Sequence, residues 1–544
     1  MLTGAQLVVQ ALEDAGVELA FGLPGVHNLA LWRALGDSRV RLVGVRHEQT
    51  AAYAADGYAR ASGRLGVALT TTGPGAANTL GAVGEAWASR SPILVIATDI
   101  PTSVRRPGVW RGALHEATDQ AAMFEPVTKG TLRVRDAASL RAATAEAARK
   151  ALAMPQRPVY LEIPTDLLAA EVAEPAAVPP GPPPPPALPD ERLERAAALI
   201  EPSRRPLIWA GGGAIASGAG PALAALAERL VAPVITTYSG AGLLPHGHPC
   251  LVEARPHVPE VGALWDEADC VLAVGSDFDG MMTQGWQMPQ PPRLVSINVD
   301  GEDASKAYLP DLVLEADAAR TLPRLTERLK PRGGLDALAR RLDELGERVW
   351  AGLRQSDPEA AAFLEVVAGS LPPEAVVVCD MCIPGYWLGG FHRPAGPRKL
   401  LYPLGWGTLG CAFPQALGAA LAGTGPVVSV SGDGGFLYAC GELATAAQER
   451  IPLTAVVVDD GGYGMLRFDQ DRRGDPHVGV DLVTPDFTAM ADSFGVRAFA
   501  SHDLGADFGA ALRRQLALAE PSLLLARAAL RPPPNVSPRW YRNG

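Results

Sequence analysis

Cysteine, positive charge and long apolar runs are all scarce in this sequence, and each scarcity removes a class of function. The 544 residues hold six cysteines, mostly inside apolar segments. Cys379 and Cys382 form an isolated C-x-x-C, a spacing that redox and zinc sites use. Val376, Val377 and Val378 before it, and the lack of a second ligand pair, read instead as the end of a buried strand. Lys and Arg number 48 against 59 Asp and Glu, a formal net charge of -11, with no basic stripe. That excludes a nucleic-acid or anionic-membrane binder. No stretch reaches ~18 unbroken apolar residues, and Met1 to Val9 lacks the basic start and apolar run of a signal peptide. A cytoplasmic protein is expected, with no membrane partner. The 58 Gly and 49 Pro are spread among apolar runs, so wholesale disorder is excluded. At 48% hydrophobic and 20% charged residues the composition is ordinary, and at roughly 100–200 residues per domain it predicts about three domains.

Two seams divide the chain. Pro175 to Pro189 contains the unbroken run Pro182 to Pro186, whose extended geometry suits a semi-rigid linker. Lys330 to Gly334 separates two charged helical patterns, the second over Leu335 to Arg354. The expected domains are 1–170, 190–330 and 355–544. Strands are expected in the first at Arg41 to Val45, Gly66 to Thr71 and Ile93 to Ala97. The second places them at Pro206 to Ala210, Val234 to Thr237, Cys270 to Val274 and Leu294 to Val299, and the third at Ala375 to Cys379, Pro426 to Val430, Thr454 to Val458 and Ser522 to Ala526. Apolar strands alternating with Ala-rich helices imply parallel sheets covered on both faces. The fold class is therefore α/β, with three doubly wound parallel-sheet domains, whose ligands sit beyond the carboxyl ends of the strands.

In the third block a strand runs into Ser431-Gly432-Asp433-Gly434-Gly435, with a helix expected from near Gly441. Glycines permit a tight turn, backbone N–H groups attract phosphate, and the acid can hold a divalent cation. A Gly-Asp-Gly alone is mostly a turn. Its weight comes from the next strand, which ends about two dozen residues later in Asp459-Asp460-Gly461-Gly462. Neighbouring parallel strands would put the two acidic ends side by side. Asp433, Asp460 and a backbone carbonyl near Gly462 then offer three oxygens of a magnesium octahedron.

A Gly-Asp-Gly followed at this distance by a paired amide, usually Asn-Asn, is the cofactor signature of thiamine diphosphate enzymes. The chain resembles them, and within them the acetolactate synthase-like branch. Phe21-Gly22-Leu23-Pro24-Gly25, Arg46-His47-Glu48-Gln49, Thr72-Gly73-Pro74-Gly75 with Asn78, and Gly405-Trp406-Gly407-Thr408-Leu409-Gly410 extend the resemblance over nearly the whole length. It implies a pyrimidine-binding, a central and a diphosphate-binding domain, with thiamine diphosphate and Mg2+ as cofactors. It also implies a homodimer or homotetramer whose active sites are each shared between two subunits. Cofactor contacts are implied for Pro24, Gly73, Gly407, Leu409, Gly432, Asp433, Gly434, Gly435, Asp460 and Gly462, with metal ligation by Asp433, Asp460 and Gly462.

Glu48 follows a strand and opens an Ala-rich helix, where a carboxylate can simply cap. In the family this Glu hydrogen-bonds the aminopyrimidine ring nitrogen and drives the tautomer that takes the proton from thiazolium C2. Leu409, otherwise a core residue, matches the apolar wedge that bends the two rings together, and the Gly407 carbonyl accepts from the amino group. His27 and His115 lie on loops that the family directs toward the reacting carbon, where either can bind a carboxylate or relay a proton.

The chain also departs from the pattern. Asp460 replaces the usual Asn and adds a charge beside the diphosphate. Ile383 and Pro384 stand where acetolactate synthases are more polar. The turn Gly211-Gly212-Gly213 is a weak nucleotide signal, and Gly275-Ser276-Asp277-Phe278-Asp279-Gly280 lacks the arginines that partner a flavin diphosphate. FAD stays open, with that loss weighing against it. The expected activity is thiamine diphosphate- and magnesium-dependent decarboxylation of a small-molecule 2-oxo acid, with carboligation as in acetolactate formation. Simple decarboxylation to an aldehyde is the alternative enzyme reading. A catalytically silent cofactor- or nucleotide-binding module is the alternative of another class.

Overall fold

Aliphatic and β-branched runs between Ala-rich helices form the centres of three parallel sheets. The computed structural model describes residues 1–106, 108–179, 181 and 187–533, so the proline run 182–186 lies outside the described residues. The first sheet contains β1 (Leu19–Gly22), β2 (Arg41–Gly44), β3 (Gly66–Thr70), β4 (Ile93–Asp99), β5 (Thr131–Arg133) and β6 (Val159–Pro164), in the order β2-β1-β3-β4-β6-β5. The second contains β7 (Pro206–Ala210), β8 (Val234–Thr236), β9 (Cys270–Val274), β10 (Leu294–Asn298) and β11 (Leu312–Glu315), in the order β8-β7-β9-β10-β11. The third contains β12 (Val376–Cys379), β13 (Leu400–Leu401), β14 (Val427–Gly432), β15 (Leu453–Asp459), β16 (Arg497–Ser501) and β17 (Ser522–Arg527), in the order β13-β12-β14-β15-β17-β16. Neighbouring strands are parallel in all three. Each sheet is flanked by helices, the α/β architecture that the alternation predicts.

Four of the strands absent from the sequence reading, β5, β11, β13 and β16, lie at sheet edges. They are short or half-exposed, so their apolar periodicity is faint. Of the others, β1 and β6 are internal, and Leu2–Thr3 and Glu171–Val172 form a separate two-stranded antiparallel pair. Strand β1 is only four residues long, and β6 has its apolar run interrupted by the buried Glu162.

The helix Glu48–Ser62 of the first unit and the helix Ala412–Leu421 of the third meet backbone to backbone. A Cβ on Gly57 would lie 1.9 Å from the Gln415 carbonyl oxygen, and one on Gly418 would lie 1.8 Å from that of Ala54. Only glycine fits at either position. Gln415 Nε2 donates to the buried Asp56 at 2.7 Å across the same crossing.

Candidate active site

Loops beyond the carboxyl ends of adjacent strands carry the residues in question, as the rule for parallel sheets requires. Pro24 follows β1, Glu48 follows β2, Gly73 follows β3, and the loop of His115 follows β4; Asp380, Asp433 and Asp460 follow β12, β14 and β15.

In the third unit β14 continues to Gly432, and a short helix, Asp433–Leu437, starts at once. The helical stretch expected near Gly441 is present, as a 3-10 turn Cys440–Glu442 leading into the helix Leu443–Glu449, and the short helix at Asp433 is an additional one that makes Gly432 to Gly435 a strand-to-helix junction. Gly432 pairs with Val458, which sets the two acidic strand ends side by side. Asp433 is 1% exposed, and neither carboxylate oxygen has a hydrogen-bond partner among the described residues. Burial, followed by the charge of Asp460, pushes its pKa up to about 6. Such a group is costly to bury unless something positive completes it. The extra charge of Asp460 is met within the chain: Arg467 donates to its Oδ1 at 2.6 Å and to its backbone oxygen at 2.7 Å. Asp433, Asp460 and Gly462 line one cleft of about 210 Å3 with Gly432, Gly434 and Gly435.

Gly407 and Leu409 line the same cleft. Leu409 Cδ1 sits 3.2 Å from where a Cβ on Gly435 would be, so the apolar side chain overhangs the glycine turn. Two carboxylates that the sequence reading passed over hold this loop. Asp380 accepts from the Gly410 N–H at 2.9 Å and the Met381 N–H at 2.8 Å, and burial pushes its pKa up to about 6. Glu85, from the first unit, accepts from the Thr408 N–H at 3.3 Å and the Thr408 hydroxyl at 3.2 Å. A signal for Asp380 was present, since it is the first polar residue after the run Val376–Cys379; Glu85 lies mid-helix and gives none. Ile383 and Pro384 line the cleft as apolar wall. Cys379 is fully buried at the strand end and Cys382 caps a helix through its backbone, so the C-x-x-C is structural.

Burial raises the Glu85 pKa to about 7. A carboxyl whose folded pKa is raised lends stability that is complete below its unfolded value and is lost as pH rises through the folded one. Glu85→Gln is therefore expected to raise the melting temperature at about pH 8 and change it little near pH 4. Melts across that range that show no pH-dependent difference would contradict the assignment.

In the first unit, Glu48 is buried at the start of its helix, and the cap is supplied by His47, which accepts from the Gln49 N–H. Asn78 Nδ2 donates to Glu48 Oε2 at 3.0 Å. The carboxylate is thus held from the side and does not serve as the helix cap. Pro24 is exposed on a turn that Asn28 pins, accepting from the Gly25 N–H at 2.8 Å and donating to the Leu23 carbonyl at 3.1 Å. His27 and His115 come together, their rings 5.3 Å apart and edge-on. His27 Nδ1 bonds the Thr72 hydroxyl at 2.8 Å, while His115 Nδ1 is buried without a partner. Burial, then the neighbouring His115, lowers the His27 pKa and favours a neutral ring. Gly73 has φ +64°, and a Cβ on it would lie 2.4 Å from the His115 carbonyl. Gln120, another residue the sequence reading missed, accepts from the Gly73 N–H at 2.5 Å and donates to the Thr98 carbonyl at 2.9 Å. None of Pro24, His27, Glu48, Gly73 and His115 lines the Asp433 cleft of the same chain.

In the second unit the glycine triplet packs against a neighbouring strand end: Gly213 N–H donates to the Gly275 carbonyl at 2.9 Å, and a Cβ on Gly211 would lie 2.4 Å from that oxygen. Arg90 and Lys306 beside this turn are bound to Asp277 at 2.8 and 2.7 Å and also reach Asp303. These two cations are engaged with acids, so they are poor partners for a flavin diphosphate.

Three family models match the chain: thiamine pyrophosphate enzyme, N-terminal TPP binding domain, over residues 2–123; the central domain over 193–325; and the C-terminal TPP binding domain over 382–526. Both glycine turns fall inside these matches. A Pseudomonas aeruginosa protein named "Probable 2-ketoarginine decarboxylase AruI" is 37% identical over 510 residues, spanning 92% of this chain and 90% of that relative. A "Probable acetolactate synthase large subunit" of Methanocaldococcus jannaschii is 31% identical over 528 residues, 91% of this chain and 87% of the relative. An "Acetolactate synthase" of Bacillus subtilis is 29% identical over 514 residues, 90% and 87% respectively.

Proposed function

The chain belongs to the thiamine pyrophosphate enzyme family and is a thiamine diphosphate-dependent enzyme, and from that premise we propose that it decarboxylates a 2-oxo acid and releases an aldehyde. The observation that carries this reading is the relative named a 2-ketoarginine decarboxylase, which shares 37% identity against 31% and 29% for the two acetolactate synthases above. Carboligation in the manner of acetolactate synthases is the second reading, favoured by the number of relatives with that name.

Bound thiamine diphosphate supplies the nucleophilic carbon and the electron sink that loss of carbon dioxide requires. The residues present fit it. Asp433 offers two unpartnered carboxylate oxygens to Mg2+, with Asp460 and the Gly462 carbonyl completing the protein ligands. Arg467 offsets the added charge of Asp460. The turn Gly432 to Gly435, at a helix start, receives the diphosphate on backbone N–H groups. Leu409 would wedge the rings, and the Gly407 carbonyl would accept from the amino group. Glu48, positioned by Asn78, would be the carboxylate that accepts from the pyrimidine ring. His115, whose Nδ1 lacks a partner, and the neutral His27 bind the substrate carboxylate or pass a proton to the product carbon. That Glu48 does not line the Asp433 cleft of its own chain supports a homodimer or homotetramer in which each site takes its two halves from different subunits. No helix among the described residues is long and apolar enough to cross a membrane, in keeping with an enzyme working in the cytoplasm.

The test is a panel of 2-oxo acids, including pyruvate and 2-ketoarginine, with carbon dioxide, aldehyde and acetolactate measured together. Aldehyde in step with carbon dioxide supports the first reading, acetolactate supports the second, and no carbon dioxide from any acid overturns both. Asp460→Asn is expected to retain metal-dependent cofactor binding, because the amide oxygen still ligates; a titration showing none would remove Asp460 from the metal site.

A further inference from the structure

A cavity of about 540 Å3 lies between the central and C-terminal units, within the size range of small-molecule sites. Tyr238, Tyr386, Trp387 and Phe391 wall it, and Arg255 lines it. Arg255 is 7% exposed. Its Nη1 donates to the Thr236 hydroxyl at 2.9 Å and carbonyl at 3.1 Å, and the guanidinium stands 5.5 Å from the Tyr238 ring centre. Its Nε has no hydrogen-bond partner, and no carboxylate among the described residues forms an ion pair with it. The acids at the cavity, exposed Glu260 and half-buried Asp357, leave it unpaired. A buried guanidinium without a counter-charge is costly, and burial alone draws its pKa down to about 10. The neighbouring His257 is committed to the Met281 carbonyl at 3.0 Å and cannot neutralise it.

We propose that this cavity is a binding site for an apolar organic carboxylate, its acid group on the Arg255 guanidinium and its apolar body between the aromatic walls. A carboxylate on the cavity side of the guanidinium would supply the missing charge in one step. The aromatic rings bury the remainder of such a molecule without demanding further polar partners. Met381, Tyr386 and Met465 line both this cavity and the Asp433 cleft, so the two spaces adjoin.

The holoenzyme is titrated with phenylacetate and with the neutral phenylacetamide, following the fluorescence of the wall residue Trp387 and calorimetric heat. Saturable phenylacetate binding is expected, with the amide about tenfold weaker or more, the loss that goes with a hydrogen bond to a charged group. Arg255→Met should abolish the preference for the acid. A Cβ on Gly390 meets nothing within 4 Å, so Gly390→Leu should fill the space and weaken binding without disturbing the fold, which covers the case in which Arg255→Met does not fold. Displacement of phenylacetate by a turned-over 2-oxo acid would make the cavity part of the substrate's path, and lack of displacement would make it a separate effector site; either supports the proposal. Absence of saturable binding, equal affinity for acid and amide, or an unchanged Kd in Gly390→Leu overturns it.

Discussion

Glu48→Gln is expected to lower turnover by about 10²–10⁴-fold, the range for a lost acid–base group, while leaving thiamine diphosphate affinity nearly unchanged. Glutamine keeps the shape and can still bond Asn78, which holds only one of the two carboxylate oxygens at 3.0 Å. What it loses is the negative charge that stabilises a proton on the ring nitrogen. On the proposed roles, binding would draw on the metal, the glycine turn and the Leu409 wedge rather than on Glu48, so affinity and turnover should separate. Steady-state rates of carbon dioxide release, set beside a cofactor titration by fluorescence quenching, read both quantities. A fully active variant would remove Glu48 from the activating role; a variant that fails to bind cofactor would make it a structural residue.

Asp433→Ala is expected to abolish magnesium-dependent retention of the cofactor, and with it activity, without lowering the melting temperature of the apoprotein. In the absence of metal the side chain makes no hydrogen bond through either oxygen and its charge is desolvated beside Asp460. Removing it relieves an unfavourable burial and leaves the fold intact. A lower melting temperature would mean that the carboxylate is structural. The same pair of variants probes the assembly. If each site is built from two subunits, mixing Glu48→Gln with Asp433→Ala and allowing subunit exchange produces dimers with one doubly impaired site and one intact site, so activity returns. No recovery after demonstrated exchange would place both residues in a site within one chain.

The sequence made most internal strands legible because they are buried on both faces and read as aliphatic runs, the four-residue β1 and the Glu162-interrupted β6 being the exceptions, and it located the acidic ends of β14 and β15 by spacing alone. The edge strands β5 and β16 were not legible, since their short or half-exposed sequences carry little apolar pattern, whereas the edge strands β2 and β8 were read. Within the site, the glycines and acids of the two acidic turns stood out, Asp380 carried a strand-end signal that was passed over, and Gln120 and Glu85 carried none. All three accept from a backbone N–H on a loop remote in sequence, and no local pattern encodes such a partner. The compensation of Asp460 by Arg467 is an intermediate case. Asp460 lies in the loop after β15 and Arg467 in the first turn of the helix Gly464–Arg473, so the pairing depends on how the strand end meets the helix.

The contact at Gly57 and Gly418 has an implication for anyone recombining this chain with its relatives. Two hydrogen atoms are all that separate those main chains, so the junction has no slack to absorb a foreign helix, and a chimera joined between the first and third units would need to inherit both partners as a matched pair. For the same reason the first and third units cannot swing apart about this contact without separating two stretches of main chain that already touch.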